Sequence, residues 1–466
     1  FMNDQRPISL TIFGISGDLA SRKLLPALYW LLTAGELPAH MIIIGVSRQK
    51  ISTHRLMKKV TQFVGKKANP EIIQRLETMI RMVQMDSGQA SEYPKLKQVY
   101  KATESTDEAV RLLYLALPPK VSQPVVAAMA EAGITKKAHK DIRLLLEKPF
   151  GFDLASAKNL DSHLDQAVQE TQIYRIDHYL AKETAQNITV FRFANPIMTA
   201  VWNNHFIERI EIEASEKIGI ENRANFYEQT GALRDVVQSH LLSLLALVTM
   251  DEPKAGNEAD FHRKRRKALE SIKPFGPKDV AARAHRGQYA TYRKEVGNPD
   301  SITETWAALN LESTNRRWKG VSLYLSGGKA LDSRRTTIRV FFKASARQHY
   351  NCLTFRLQPR EGIELQLEAK REGLNTTTEP IFLKFAYGEN AAGRRPDGYE
   401  RVILDAINGD RTSFLTGPEV RATWRLMEPV LRAWQRNATG MLFYQPGSKP
   451  PLSSLHDERG RIVESS

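Results

Sequence analysis

Short apolar runs alternate with longer amphipathic stretches through the first third of the chain. The runs Ile8–Phe13, Met41–Val46, Ile80–Met85, Arg111–Leu117, Ile142–Glu147 and Gln172–Ile176 have strand length and are rich in aliphatic residues. Leu19–Ala34, Tyr93–Lys101, Val121–Ala132 and Leu154–Gln169 carry apolar residues at helical spacing. Strands regularly separated by helices predict a parallel sheet covered by helices.

Beyond about residue 178 the rhythm changes. A helix over Ala181–Ala194 leads to a strand over Arg209–Ala214, and Phe226–Met250 reads as one long helix. From Thr303 alternating segments dominate: Thr303–Leu311, Val321–Leu325, Thr336–Phe342, Asn351–Leu357 and Ile363–Ala369. Polar turns between them predict an antiparallel sheet with one face covered by helices. Helices return at Tyr399–Asn408 and Pro418–Asn437. The expected division is one domain over residues 1–178, a second over 179–440, and a C-terminal tail over 441–466.

At 466 residues the chain is too long for a single compact core, so two domains agree with length as well as pattern. The single cysteine, Cys352, excludes an internal disulfide, and no Cys/His cluster has zinc-ligand spacing. A reducing, cytoplasmic compartment and no metal are the expectation. Phe1 ahead of Met2 reads as an addition before the native start, and no secretory leader follows. Val236–Met250 is interrupted by Gln238, Ser239, His240 and Ser243; it reads as a buried helix and not a membrane span.

The net charge of +15 raises the question of an anionic partner. The densest basic run, Arg263-Lys264-Arg265-Arg266-Lys267, lacks interleaved aromatics and any nucleic-acid-binding signature, so it reads as a solvated helix face. The same positive field attracts a phosphorylated small molecule or a dinucleotide, and charge alone does not separate these partners.

The first strand runs into Gly14-Ile15-Ser16-Gly17-Asp18-Leu19-Ala20, which opens the first helix. Glycines there allow a tight turn and close backbone approach to a pyrophosphate, and the helix N-terminus supplies unpaired N–H groups. The second strand ends in Ser47-Arg48, without the acid that binds a ribose 2′-hydroxyl in NAD sites. The planar guanidinium of Arg48 suits a 2′-phosphate, so NADP is the expected cofactor, with NAD the second candidate. Gly14, Ser16, Gly17, Asp18, Leu19 and Arg48 are the candidate cofactor residues. Leu115-Ala116-Leu117-Pro118-Pro119 and Glu147-Lys148-Pro149-Phe150-Gly151 follow later strands, where ligands bind in open α/β sheets.

The most specific segment is Arg175-Ile176-Asp177-His178-Tyr179-Leu180-Ala181-Lys182-Glu183-Thr184. It closely resembles the R-I-D-H-Y-L-G-K-E signature of glucose-6-phosphate dehydrogenases, with Ala181 at the usual glycine. Glu147–Gly151 matches the family's E-K-P-F-G, and Arg234-Asp235-Val236-Val237-Gln238-Ser239-His240 matches R-D-x-x-Q-N-H except at Ser239. The resemblance covers residues from about 8 to 440. It implies a Rossmann-like α/β domain followed by an α+β domain with a large, mainly antiparallel sheet. Oxidation of an anomeric hydroxyl needs a base for the proton and an acceptor for the hydride, and histidine suits the first task.

By the resemblance His240 is that base and Asp177 the carboxylate that orients it. Lys148 lies between substrate and nicotinamide. His178, Tyr179 and Lys182 bind the sugar's phosphate, and Lys182 is expected one helical turn beyond His178 on the same face. Asp235 and His240 are expected roughly 140° apart around a regular helix, with Asp235 gripping a sugar hydroxyl. Glu216, Lys329, Arg334 and Gln358 map to further substrate-contacting positions. The implied substrate is glucose 6-phosphate, and the implied assembly a homodimer or homotetramer, without nucleic acid or membrane. Asn225, Phe226 and Glu228 depart from the family's R-x-G-Y-Y-D and put a sugar contact there in doubt. The alternatives are a dehydrogenase of another aldose or hexose phosphate and a non-catalytic nucleic-acid-binding relative.

Overall fold

The computed structural model describes residues 6–104, 109–138, 141–344, 350–388, 394, 396–436 and 440–452. Among these the strands are β1 (Ile8–Phe13), β2 (Met41–Ser47), β3 (Ile80–Gln84), β4 (Val110–Leu115), β5 (Ile142–Leu146) and β6 (Ile173–Ile176). There follow β7 (Ile207–Ser215), β8 (Ala284–Tyr289), β9 (Trp306–Leu311), β10 (Ser322–Gly328) and β11 (Arg335–Phe342). The series closes with β12 (Cys352–Gln358), β13 (Gly362–Lys370), β14 (Thr378–Ala386), β15 (Phe414–Leu415) and β16 (Met441–Tyr444).

The chain forms two compact units. One takes the chain up to Gly151, Ala155–Ala181 and a later stretch ending at Gly417; the other takes Phe152–Leu154, Lys182–Gly388 and the chain from Pro418 onward. The first unit holds a seven-stranded sheet in the order β15-β6-β5-β4-β1-β2-β3, parallel except for β15. Every residue of β1 is buried, as expected of a strand covered on both faces. The strand order reverses beside β1, and open α/β sheets bind ligands outside the carboxyl ends of strands at such a point.

The expected division at residues 178 and 440 is corrected in two places. The helix Gly398–Asn408 and β15 belong to the first unit, where Val402, Ile403, Ala406, Ile407 and Phe414 join its core. Arg143 Nη1 donates to the Ala406 and Ile407 carbonyls at 2.6 Å, satisfying acceptors at that helix's C-terminus. The expected tail is also partly structured, since β16 pairs with β8 and Tyr444 is buried. The remainder of the expected tail, 453–466, lies outside the described residues.

The second unit holds nine strands in the order β14-β13-β12-β11-β7-β10-β9-β8-β16. Its pairs are antiparallel except β7 with β10 and β8 with β16. The long helix expected over 226–250 is three pieces: Ala224–Ala232, a wide π-helical stretch Leu233–Leu241, and Leu242–Thr249. By length and composition Ala224–Thr249 passes as a membrane span, but 83% of its most apolar window is buried in the protein. It is a core helix.

The basic run lies on the helix Glu258–Glu270, and its reading as a wholly solvated face is corrected at Arg265. Arg265 is buried and makes a two-pronged ion pair with buried Glu419, at 2.5 and 3.0 Å. Burial alone would raise the Glu419 carboxyl, but the Arg265 guanidinium and His262 hold it far below the usual range. Glu419→Leu strands the guanidinium, and chemical denaturation at neutral pH is expected to show a loss of about 3–5 kcal/mol. A carboxylate with a depressed folded-state pKa stabilises fully above its ordinary value of 4.5 and loses that contribution as pH falls below it. The gap between parent and variant should therefore narrow on acidification; a constant gap would contradict the account.

Candidate active site

In the first unit β1 ends at Phe13 and the chain turns at Gly14, whose φ is +85°. Gly14 N–H donates to Val46 O at 3.0 Å, and Gly17 N–H to Gly14 O at 2.9 Å. A Cβ on Gly14 would lie 2.7 Å from the Ala116 carbonyl oxygen, so no other residue fits. Helix begins at Asp18 and runs to Ala34, with a wide turn over Ala20–Leu24. Leu19 packs on the core, and Ala20 is fully buried against it. Asp18 faces solvent and meets Arg22 at 3.5 Å, a contact of little energetic weight.

Ser16 Oγ and Ser47 Oγ are 3.3 Å apart, which ties the glycine turn to the end of β2. Arg48 follows, exposed, with its carbonyl accepting from Gln84 Nε2 at 3.3 Å. The glycine cradle, the helix start and a basic group in place of an acid fit a dinucleotide bearing a 2′-phosphate.

Glu147 and Lys148 leave the carboxyl end of β5. The Tyr114 hydroxyl donates to Glu147 at 2.5 Å, and Tyr399 from the returning helix also hydrogen-bonds to it. Burial pushes the Glu147 carboxyl up, while the tyrosines and the Lys148 charge pull it back; the Asp177 charge adds to the rise. Asp177 follows β6, is 2% exposed, and its Oδ1 accepts the Tyr179 N–H at 2.9 Å. The rings of His178 and Tyr179 meet edge-on at 5.0 Å. Asp397, paired with Lys23 at 2.8 Å, is close enough to His178 to feel its charge. Gly14, Ser16, Gly17 and Arg48 thus gather at one strand-end turn, and Lys148 and Asp177 at the ends of β5 and β6.

The shared helical face expected for His178 and Lys182 is corrected. Residues 178–181 form turns, and Lys182 is the extended cap residue (φ −74°, ψ 142°) of the helix Glu183–Phe193. Helical spacing therefore does not relate the two side chains.

In the second unit β7 and β10 run parallel as neighbours, so Glu216 and Lys329 leave the sheet side by side. Glu216 N–H donates to Gly328 O at 2.9 Å, and Lys329 Nζ reaches Glu216 Oε2 at 2.5 Å. Lys329 is 4% exposed and stands 5.5 Å from the centre of the Tyr227 ring. Tyr227 is fully buried, and its hydroxyl is pushed well above the usual range by burial and then by the charges of Asp235, Tyr444, Glu216 and Glu304. Asp235, Glu216 and Lys329 are thus brought together around one phenol. Gln358 ends β12 and donates to Thr336 Oγ1 at 2.7 Å; Thr336 in turn pairs with Ala214 of β7. Arg334 is exposed ahead of β11.

Asp235 and His240 are buried on Leu233–Leu241. The regular helix behind the expected 140° separation is corrected, since Leu233–Leu241 is wound as a π-helix with more residues per turn. Gln238 Nε2 donates to Thr423 Oγ1 at 2.8 Å, and Ser239 Oγ to the Asp235 carbonyl at 2.7 Å. The doubtful Glu228 is held by Tyr292, Ser301 and Asn298 at 2.6, 2.7 and 3.0 Å. Burial would raise its carboxyl, but these donors hold it below the usual range. Its carboxylate fastens the segment around 292–301 and is already engaged.

One residue absent from the sequence-based set stands out. Glu304, 6% exposed, accepts the Leu233 N–H at 2.9 Å through Oε1, and its carbonyl accepts the Ala232 N–H at 2.9 Å. The signal was an acid inside the apolar run Thr303–Leu311.

Residues 11–187 match the family of the glucose-6-phosphate dehydrogenase NAD binding domain, and residues 189–458 that of its C-terminal domain. The glucose-6-phosphate 1-dehydrogenase of Treponema pallidum is 35% identical, the alignment covering 96% of this chain and 93% of that protein. The enzyme of the same name from Chlamydia muridarum is 36% identical over 96% and 94% of the two chains. A solved structure of glucose-6-phosphate dehydrogenase in complex with its substrate glucose-6-phosphate superposes with a TM-score of 0.90 at 31% identity, covering 99% of each chain. Levoglucosan dehydrogenase in complex with NADH and L-sorbose shares the fold alone, with a TM-score of 0.52 at 10% identity. Both family matches and similarity along nearly the whole length place this chain in the glucose-6-phosphate dehydrogenase family.

Proposed function

We infer that this chain oxidises D-glucose 6-phosphate to 6-phospho-D-glucono-1,5-lactone with NADP, the first step of the oxidative pentose phosphate pathway. The observation that carries the reading is family similarity along nearly the whole chain, including a substrate-bound relative. Bound NADP supplies the acceptor for the hydride leaving C1. The protein's task is to take the hydroxyl proton and hold the sugar still. His240 takes the proton at an imidazole nitrogen, and Asp177 stabilises the imidazolium that results. Asp235, Glu216 and Lys329 bind sugar hydroxyls, their clustering around Tyr227 supporting a shared role. Gln358 and Arg334 complete the substrate contacts. His178, Tyr179 and Lys182 bind the phosphate, and Lys148 borders both sugar and nicotinamide. Gly14, Ser16, Gly17, Asp18 and Leu19 hold the cofactor's pyrophosphate, with Arg48 on its 2′-phosphate.

A homodimer or a dimer of dimers in the cytoplasm completes the proposal, with neither nucleic acid nor membrane as partner. Strand β14 supports self-association: it ends the nine-stranded sheet and exposes Phe382, Leu383 and Phe385.

The decisive assay follows NADPH formation at 340 nm with glucose 6-phosphate against glucose and other hexose phosphates. Turnover should be far faster with glucose 6-phosphate; a clear preference for another sugar would overturn the substrate assignment. His240→Asn should lower kcat by about 10²–10⁴-fold while glucose 6-phosphate still binds in calorimetry. Retained turnover would remove His240 from the mechanism. Arg48→Ala should raise KM for NADP by about 10–100-fold and leave KM for NAD unchanged; equal effects on both would contradict 2′-phosphate recognition.

A further inference from the structure

The three-piece helix that carries Asp235 and His240 has an unusual beginning. Gly231 adopts φ 60° and ψ 179°, a conformation essentially restricted to glycine, and stops the preceding helix. Leu233 then starts the π-helical stretch, whose first N–H groups need acceptors. Glu304 supplies two at once, its carboxyl oxygen to Leu233 and its carbonyl to Ala232, both at 2.9 Å. A Cβ on Gly231 would fall 2.3 Å from Glu304 Oε1, so the glycine also clears the space the carboxyl group occupies. The next residue extends the connection. Thr305 O accepts the Lys329 N–H at 2.9 Å, Thr305 Oγ1 meets Tyr444 Oη at 2.8 Å, and Tyr444 Oη donates to Lys329 O at 2.7 Å.

We propose that Glu304 is a positioning residue for the dehydrogenase reaction, fixing the start of the wide helical turn so that Asp235 and His240 are presented in register with the Glu216–Lys329 pair. The inference rests on the assignment of His240 as the base. Glu304 touches none of the reacting groups in this role; it acts through the Leu233 and Ala232 amides and through its neighbour Thr305. Burial pushes its carboxyl above the usual range, the Leu233 N–H, Arg234 and Arg286 pulling it back. A neutral amide of the same shape is a close substitute, since its carbonyl oxygen accepts the Leu233 N–H from the same place.

The test compares Glu304→Gln, Glu304→Ala and Glu304→Asp with the parent enzyme, with His240→Asn assayed alongside. Glu304→Ala should lower kcat on the order of 100-fold, the cost of displacing a catalytic group by about 1 Å, with KM for NADP within about twofold of the parent by the same reasoning. Glu304→Gln should restore most of that loss. Glu304→Asp, which withdraws the oxygen by one methylene, should fall between them, and it carries the test if Glu304→Ala does not fold. Parent-like kcat in Glu304→Ala, or in Glu304→Asp in its place, overturns the inference. So does a loss that vanishes once rates are scaled to the folded fraction measured by circular dichroism. Retained turnover in His240→Asn overturns the base assignment itself, whereas an inactive His240→Asn beside a fully active Glu304→Ala removes only the positioning role.

Discussion

A hydrogen bond from the Leu233 amide to the buried Glu304 carboxyl anchors the start of the wide helical turn that carries Asp235 and His240. A regular helix through this sequence would spread Asp235 and His240 around its circumference. The chain instead ends one helix at Gly231 and opens a wider one at Leu233. Such winding is rare and persists where surrounding structure over-determines it. Here the surroundings are Glu304 at its start, Thr423 receiving the Gln238 amide at its middle, and a fully buried α-helix at its end.

The two units solve different problems with the same economy of means. In the first, a glycine after β1 lets the turn pack against the Ala116 carbonyl, where any side chain would intrude. In the second, parallel neighbours β7 and β10 bring Glu216 and Lys329 out of the sheet together, and the ammonium of Lys329 stands over the ring of Tyr227. The carboxylate and the aromatic face hold the ammonium in one place.

Much of this was legible in the sequence. All six parallel strands of the first unit follow their apolar runs, and the inner ones are apolar almost throughout because they are covered on both faces. The turn after the first strand was readable from its glycines, and the decapeptide from its resemblance. What escaped depended on tertiary contacts. β14 was hidden because most of its residues are exposed and Pro380 interrupts it, and β8 because it buries Arg286, Gly287 and Gln288 in place of aliphatics. The helix Gly398–Asn408 was visible as a helix, but local periodicity does not say which core its face joins. Arg265 sat in a run of cations whose one buried member is revealed only by Glu419, far along the chain. The wide turn itself left no mark on the apolar pattern.

The central claim is that an imidazole supported by a carboxylate removes the sugar's hydroxyl proton, and the pH dependence of kcat/KM for glucose 6-phosphate tests it most directly. That profile reports the essential base of the free enzyme, so activity should fall on the acid side as the histidine becomes protonated. A neighbouring carboxylate favours the protonated ring and raises its pKa. In Asp177→Asn the acid limb should therefore shift to lower pH while the plateau drops. An acid limb at the same pH in parent and Asp177→Asn would contradict the account.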